Sequence, residues 1–148
     1  MKNLILLLLM AVFNITFAQD YFEKKGIAFA GYDVTEYQNN HALKGTKENA
    51  LEYNKSTFYF ASEENKNKFL TDPEKYIPQY GGYCAYAISE HNKKYKVNPE
   101  AFLLDDDGKV YLFYNALGKN TLDLWNKGNL DTQKQKADAN WEKINGKK

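Results

Sequence analysis

Leu51-Glu52-Tyr53-Asn54-Lys55-Ser56-Thr57-Phe58-Tyr59-Phe60-Ala61-Ser62-Glu63-Glu64 decides the fold class of this chain. Leu51 and Tyr53 enter a turn at Asn54-Lys55-Ser56, and Thr57 to Phe60 return as a run of β-favouring residues. Asn54 can adopt the left-handed backbone that a tight hairpin turn needs, although Lys55 is a weaker choice there than glycine. Ser62 then has the chemistry of a helix N-cap. Glu63 and Glu64 follow in the first turn, where carboxylates complement the helix dipole. Phe69 and Leu70 give that helix an apolar end. A hairpin running straight into a short helix predicts an α+β domain.

The segments on either side agree. Upstream, Gly26 to Tyr37 starts the fold, with Ile27, Phe29 and Tyr32 alternating with small residues and Gly31 inviting a tight turn. Downstream, Asp72-Pro73-Glu74 predicts a second helical turn, with Asp72 as cap, Pro73 in first position and Pro78 as the stop. After Gly81-Gly82, the stretch Cys84-Ala85-x-Ala87 is expected to be extended. Phe102-Leu103-Leu104 and Val110 to Tyr114 flank Asp105-Asp106-Asp107-Gly108, a hairpin signal. Thr121 to Lys127 reads as a short helix closed by Gly128. Asp131 is expected to cap a longer helix with Ala137, Trp141 and Ile144 on one face. There is no internal repeat or long linker, so a single domain is expected after the leader.

Residues 1–18 read as a signal peptide. Lys2 is followed by an apolar run from Leu4 to Phe13, and Thr16-Phe17-Ala18 places small residues at the two specificity positions, so cleavage is expected before Gln19. The run is short for a membrane span and no cysteine follows it, so neither a membrane anchor nor a lipoprotein anchor is expected. The protein is therefore expected to be exported, to a periplasm or beyond the cell.

The full chain has 20 Lys+Arg against 19 Asp+Glu; removing Lys2 leaves 19 against 19. No arginine is present. Arginine dominates bidentate phosphate recognition and basic patches drive nucleic-acid affinity, so nucleic acid is not an expected partner. Serine nucleophile elbows, phosphate-cradling glycine loops, dinucleotide fingerprints and haem-attachment motifs are missing, which disfavours the ordinary hydrolase and nucleotide-enzyme classes.

The single cysteine, Cys84, sits in Gln79-Tyr80-Gly81-Gly82-Tyr83-Cys84-Ala85-Tyr86. One cysteine closes no internal disulfide, leaving an inert buried residue, an intermolecular linker, a reactive thiol or a metal ligand. His41 and His91 have no metal spacing to each other or to Cys84, and both lie in polar, loop-like surroundings. A site anchored on Cys84 would need a carboxylate such as Asp33, or a histidine such as His91, to complete it. Asp33 and Glu36 form a carboxylate pair whose separation the sequence leaves open; Asp33 equally suits a turn cap. Asp105-Asp106-Asp107 lacks the alternating acidic spacing of a calcium loop and suits a solvated turn. Tyr80, Tyr83 and Tyr86 beside Gly81-Gly82 could line a pocket with apolar walls and polar tips.

Several blocks together resemble the exported YHS-domain proteins of bacteria: Gly31-Tyr32-Asp33-Val34, Tyr53-Asn54-x-x-Thr57-Phe58-Tyr59-Phe60-Ala61-Ser62, Asn65-x-x-x-Phe69, Asp72-Pro73-Glu74-Lys75-Tyr76 and Gln79 to Tyr86. Pro99-Glu100-Ala101, Gly108 to Leu112 and Ala137-Asp138-x-Asn140-Trp141 resemble later blocks of that family. The resemblance implies one YHS-like domain over 19–148, with a core at about 26–144, built on a hairpin and a following helix. It also implies metal handling through cysteine motifs. Ala61 stands where metal-type relatives carry a cysteine, so the metal expectation from the resemblance falls on Cys84. His41 and His91 match no motif of the family, and ligand chemistry alone offers Asp33 or His91 as partners, with copper or another soft ion as the cofactor. The leading expectation is a non-catalytic, metal-binding exported domain. The alternatives are a small-molecule or protein-interaction module with a tyrosine-lined pocket and a structural cysteine, or a thiol-dependent enzyme.

Overall fold

A computed structural model describes residues 20–146; residues 1–18, where a signal peptide is expected, lie outside the described residues. Strands β1 (Glu23–Lys24), β2 (Ile27–Ala28), β3 (Thr46–Tyr53) and β4 (Ser56–Phe60) form a mixed sheet in the order β1-β2-β4-β3. β3 and β4 pair antiparallel with Tyr53 opposite Ser56, so the connecting loop is Asn54-Lys55 alone. Both loop residues have positive φ, 48° and 67°, the twist that a two-residue hairpin requires. The predicted hairpin therefore forms with lysine in the position where glycine would be easiest.

Helix α1 (Glu63–Thr71) follows at once, and the Ser62 hydroxyl accepts the Asn65 N–H at 3.1 Å as its cap. α2 (Pro73–Tyr76) begins on Pro73, but the Asp72 side chain makes no capping bond; the geometry at Asp72 is set by its N–H, which donates to the Phe69 carbonyl. Phe58, Phe60 and Phe69 are buried here with Phe29, Val34 and Tyr37, forming the first core. Most of its aromatic rings meet edge-on or tilted, as ring quadrupoles favour, while Phe58 and Phe60 stack with centroids 6.5 Å apart.

One expected strand is a helix. Cys84-Ala85-Tyr86-Ala87 does not extend; α3 (Ala85–His91) starts there, and Asn92 closes it at a left-handed φ of 51°. Alanines are the best helix formers, and Ala85, Ala87 and Ile88 bury against the second half of the protein. The expected hairpin appears as β5 (Asn98–Leu104) and β6 (Val110–Phe113), with Leu104 opposite Val110. A small ribbon, β7 (Asn115–Ala116) and β8 (Lys119–Asn120), leads into α4 (Thr121–Lys127), which ends at Gly128 as predicted.

The last helix, α5 (Leu130–Gly146), starts one residue before Asp131. Its cap is Asn129, whose side-chain oxygen accepts the Thr132 N–H at 2.9 Å; Asp131 lies inside the first turn. Ala137, Trp141 and Ile144 face inward with Ile88, Tyr111 and Trp125, completing a second core. The architecture is α+β, with the two cores meeting at the Gln79–Gly82 turn and β6.

Candidate functional site

The Gln79–Gly82 turn holds three successive left-handed residues: Tyr80 at φ 58°, Gly81 at 61° and Gly82 at 77°. The glycine pair makes close approach possible, but the approaching groups are the protein's own. A methyl on Gly81 would meet the Asp20 carbonyl, and one on Gly82 would meet the Phe29 ring. The Gly81 carbonyl also accepts the Phe22 N–H at 2.8 Å. The turn is thus clamped between the segment that precedes β1 and the first core.

Cys84 follows at the head of α3 and is fully buried. Its N–H donates to the Tyr95 carbonyl, and its own carbonyl accepts the Ile88 N–H. The sulfur lies 3.3 Å from Thr121 Oγ1 and accepts the Tyr114 N–H at 3.4 Å. The Thr121 hydroxyl donates to the Tyr114 carbonyl at 3.0 Å, a group that can only accept. That leaves the Thr121 oxygen as the acceptor of the Cys84 S–H. The sulfur is thereby both donor and acceptor within the protein, knitting α3, the end of β6 and the start of α4.

A pocket of about 290 Å³ opens over the same junction, lined by Tyr86, Ala87, His91, Tyr95, Tyr114, Lys119 and Thr121. The His91 ring stacks on Tyr95 with centroids 6.0 Å apart and meets the edge of Tyr86 at 6.1 Å. Lys119 brings a cation to the rim, and the described lining includes no carboxylate. Thr121 is the shared element: it lines the pocket and holds the sulfur.

The expected site residues separate. Asp33 is fully buried in the first core region and accepts four hydrogen bonds, from Thr35 N–H (2.9 Å), Thr35 hydroxyl (2.7 Å), Ala61 N–H (2.8 Å) and Asn65 Nδ2 (2.8 Å). The carboxylate pair Asp33 and Glu36 does come together, because Asn65 Nδ2 also donates to Glu36 Oε1 at 2.7 Å. Its arrangement is a bracket joining the N-terminal loop to β4 and α1. His41 is exposed, 3.6 Å from Glu36. Among the described residues, no three His, Cys, Asp or Glu side chains converge as metal ligands would.

The expected pocket-lining set divides as well. Gly81 and Gly82 are buried against backbone and ring. Tyr80 turns to α5, where its hydroxyl donates to Asp138 at 2.9 Å; burial, the Asp138 hydrogen bond and the Asp138 charge push its phenol well above the ordinary range. Tyr83 donates to Asp20 at 2.8 Å, and burial with that carboxylate raises it too. Tyr86 alone of the five reaches the tyrosine pocket. Tyr95, Tyr114, Lys119 and Thr121 were not expected there, and no local sequence pattern marks them, since they are assembled from a loop, two strand ends and a helix start.

Residues 34–80 match the YHS domain, a span running from the bracket region through β3, β4, α1 and α2 to the Gln79–Gly82 turn. No curated protein and no solved structure matches the chain. Cys84 and the tyrosine pocket lie beyond the matched span, so the similarity to the YHS domain stops at residue 80.

Proposed function

We propose that this protein is an exported, non-catalytic binding domain that takes a small planar ligand with an acidic head group, and that Cys84 is a structural residue beneath the site. The observation that carries this reading is the pocket of about 290 Å³ walled by Tyr86, Tyr95, Tyr114 and the His91 ring, with Lys119 at its rim. Aromatic walls with a few polar groups are the usual make-up of small-molecule sites. The test uses 4-hydroxybenzoate as probe and its neutral amide as comparison, followed by amide NMR. The acid is expected to shift the Ala87, Tyr114 and Thr121 signals, and Tyr95→Ala to weaken it. Signals that stay still, or an amide that binds equally, would reject the reading.

Metal handling has the YHS match and the lone thiol as its support. The donors around Cys84 fit it poorly: a hydroxyl and a backbone N–H occupy the sulfur, and Asp33 spends its oxygens elsewhere. Soft ions such as Cu(I) want thiolate or imidazole partners in number. Titration with Cu(I) beside Cys84→Ser decides it, since binding lost in the variant would restore the metal reading. A thiol-dependent enzyme would need a base at the sulfur, and Thr121 and Tyr114 supply none. Export rests on the leader-like residues 1–18; a secreted product beginning at Gln19 is the expected readout.

A further inference from the structure

A second and larger concavity lies away from the tyrosine pocket, between the β1–β2 turn, the Lys44–Lys47 segment and Val97–Pro99, with a volume of about 770 Å³. We propose that it is a binding site for a small polycarboxylate.

Charge is the first reason. Lys24, Lys25, Lys44 and Lys47 all line the cleft and are all exposed, and no Asp or Glu is among its described lining residues. None of the four joins an ion pair among the described residues, whereas Lys66, Lys68, Lys94, Lys134 and Lys136 all do. In a chain of nearly balanced charge, a concave wall of four ammonium groups, with the exposed Glu48 carboxylate beside Lys47, is a local excess that anions relieve. One carboxylate borders the cleft: Glu100 accepts the hydroxyl of the lining residue Tyr32 at 2.9 Å.

Rigidity is the second. Gly45 lies so close to the Tyr59–Phe60 backbone that a side chain there would collide with it, and its N–H donates to the Gly31 carbonyl at 2.8 Å. Tyr32 and Lys44 are bridged across the same seam, and the Lys44 ammonium sits 5.7 Å over the Tyr32 ring. Lys25 is held at a positive φ of 53° in the tight β1–β2 turn. The backbones carrying these charges are therefore fixed before any ligand arrives.

The rim argues for a small ligand over a peptide strand. Pro99 has no N–H, its carbonyl accepts the Tyr37 hydroxyl, and the Glu100 N–H donates to Asn98 Oδ1. Along this rim a peptide strand finds neither the Pro99 carbonyl nor the Glu100 N–H free to pair with. Nucleic acid is poorly served without arginine. The volume falls within the range of small-molecule sites, and Ile27, Tyr59 and Val97 give a ligand's carbon frame something to pack on. Carboxylates carried on an open-chain acid or on a short acidic sugar present the same chemistry to these lysines.

The test is calorimetric titration of the mature protein with citrate and with trigalacturonate, alongside neutral galactotriose and tetraglutamate. Lys44→Ala/Lys47→Ala and Lys24→Glu probe opposite walls, and Lys75→Ala serves as an outlying control, with circular dichroism confirming the fold. Binding of citrate or trigalacturonate is expected, weakened by high salt, unaffected by Lys75→Ala and about tenfold weaker in the double variant, the combined scale of two exposed charge contacts. Citrate alone would identify an open-chain acid and trigalacturonate alone an acidic sugar. No binding by either, equal binding of galactotriose, tighter binding of tetraglutamate, or indifference to both lysine variants would overturn the proposal.

Discussion

The Cys84 sulfur and the Thr121 hydroxyl oxygen lie 3.3 Å apart across 37 residues of chain, and the direction of the bond between them is set by a third group. Thr121 gives its proton to the Tyr114 carbonyl, so its oxygen receives the thiol proton. The cysteine is consequently satisfied on both sides without any ligand.

Thr121→Val keeps the shape but removes the hydroxyl from both bonds. The S–H and the Tyr114 carbonyl each lose that partner, so a loss of roughly 2 kcal/mol is expected in urea unfolding. Native Cys84 should resist iodoacetamide until the protein opens, and Thr121→Val should speed that labelling. Rapid labelling of the wild-type protein in native buffer would contradict the buried, doubly bonded sulfur.

Asp33→Asn tests the bracket. An amide replaces one acceptor oxygen with a donor, which then faces either the Thr35 or the Ala61 and Asn65 donors. A destabilisation of about 3 kcal/mol is expected, because buried donors are left facing a donor. A melting temperature unchanged from wild type would show that these bonds contribute little.

Gly82→Ala places a methyl against the Phe29 ring at a φ of 77°. Strain and overpacking add, so the variant should lose at least about 3 kcal/mol or fail to fold. Gly118→Ala, also at positive φ but with nothing within 4 Å, separates the two costs and should lose only about 1 kcal/mol. Equal losses in the two variants would mean that the Phe29 contact is unimportant.

Alkaline pH should unfold the protein through its tyrosines. Burial raises Tyr21 to about 12, and burial with the Glu100 hydrogen bond raises Tyr32 to about 12. Tyr37, Tyr80, Tyr83 and Tyr111 are pushed up further, chiefly by burial. A folded-state value above the unfolded one means stability is intact below about pH 10 and falls as pH rises through 12. The phenolate absorbance of these six tyrosines should therefore lag behind free tyrosine and then appear together with loss of circular dichroism. A full phenolate signal near pH 10 with the fold intact would refute this.

Local sequence sufficed where the decisive interaction spans four residues or fewer. Asn54-Lys55 forms the turn, Ser62 caps α1, Asp105 to Gly108 turn the second hairpin and Gly128 ends α4, because caps and turns are bonds between near neighbours. The residues from Cys84 to Ala87 read as extended in sequence because two alanines carry no period, and only the hollow beside β6 and α5 gives their helix a face to bury. Tertiary structure alone decided what the lone cysteine touches, since Thr121 and Tyr114 reach it from 37 and 30 residues away. It also decided that the glycine pair admits Asp20 and Phe29, that Asp33 serves Ala61 and Asn65, and that the pocket belongs to Tyr95, Tyr114 and Thr121. Composition names the candidate groups; which of them meet depends on how the chain closes long loops to bury its apolar faces, and no local pattern encodes that.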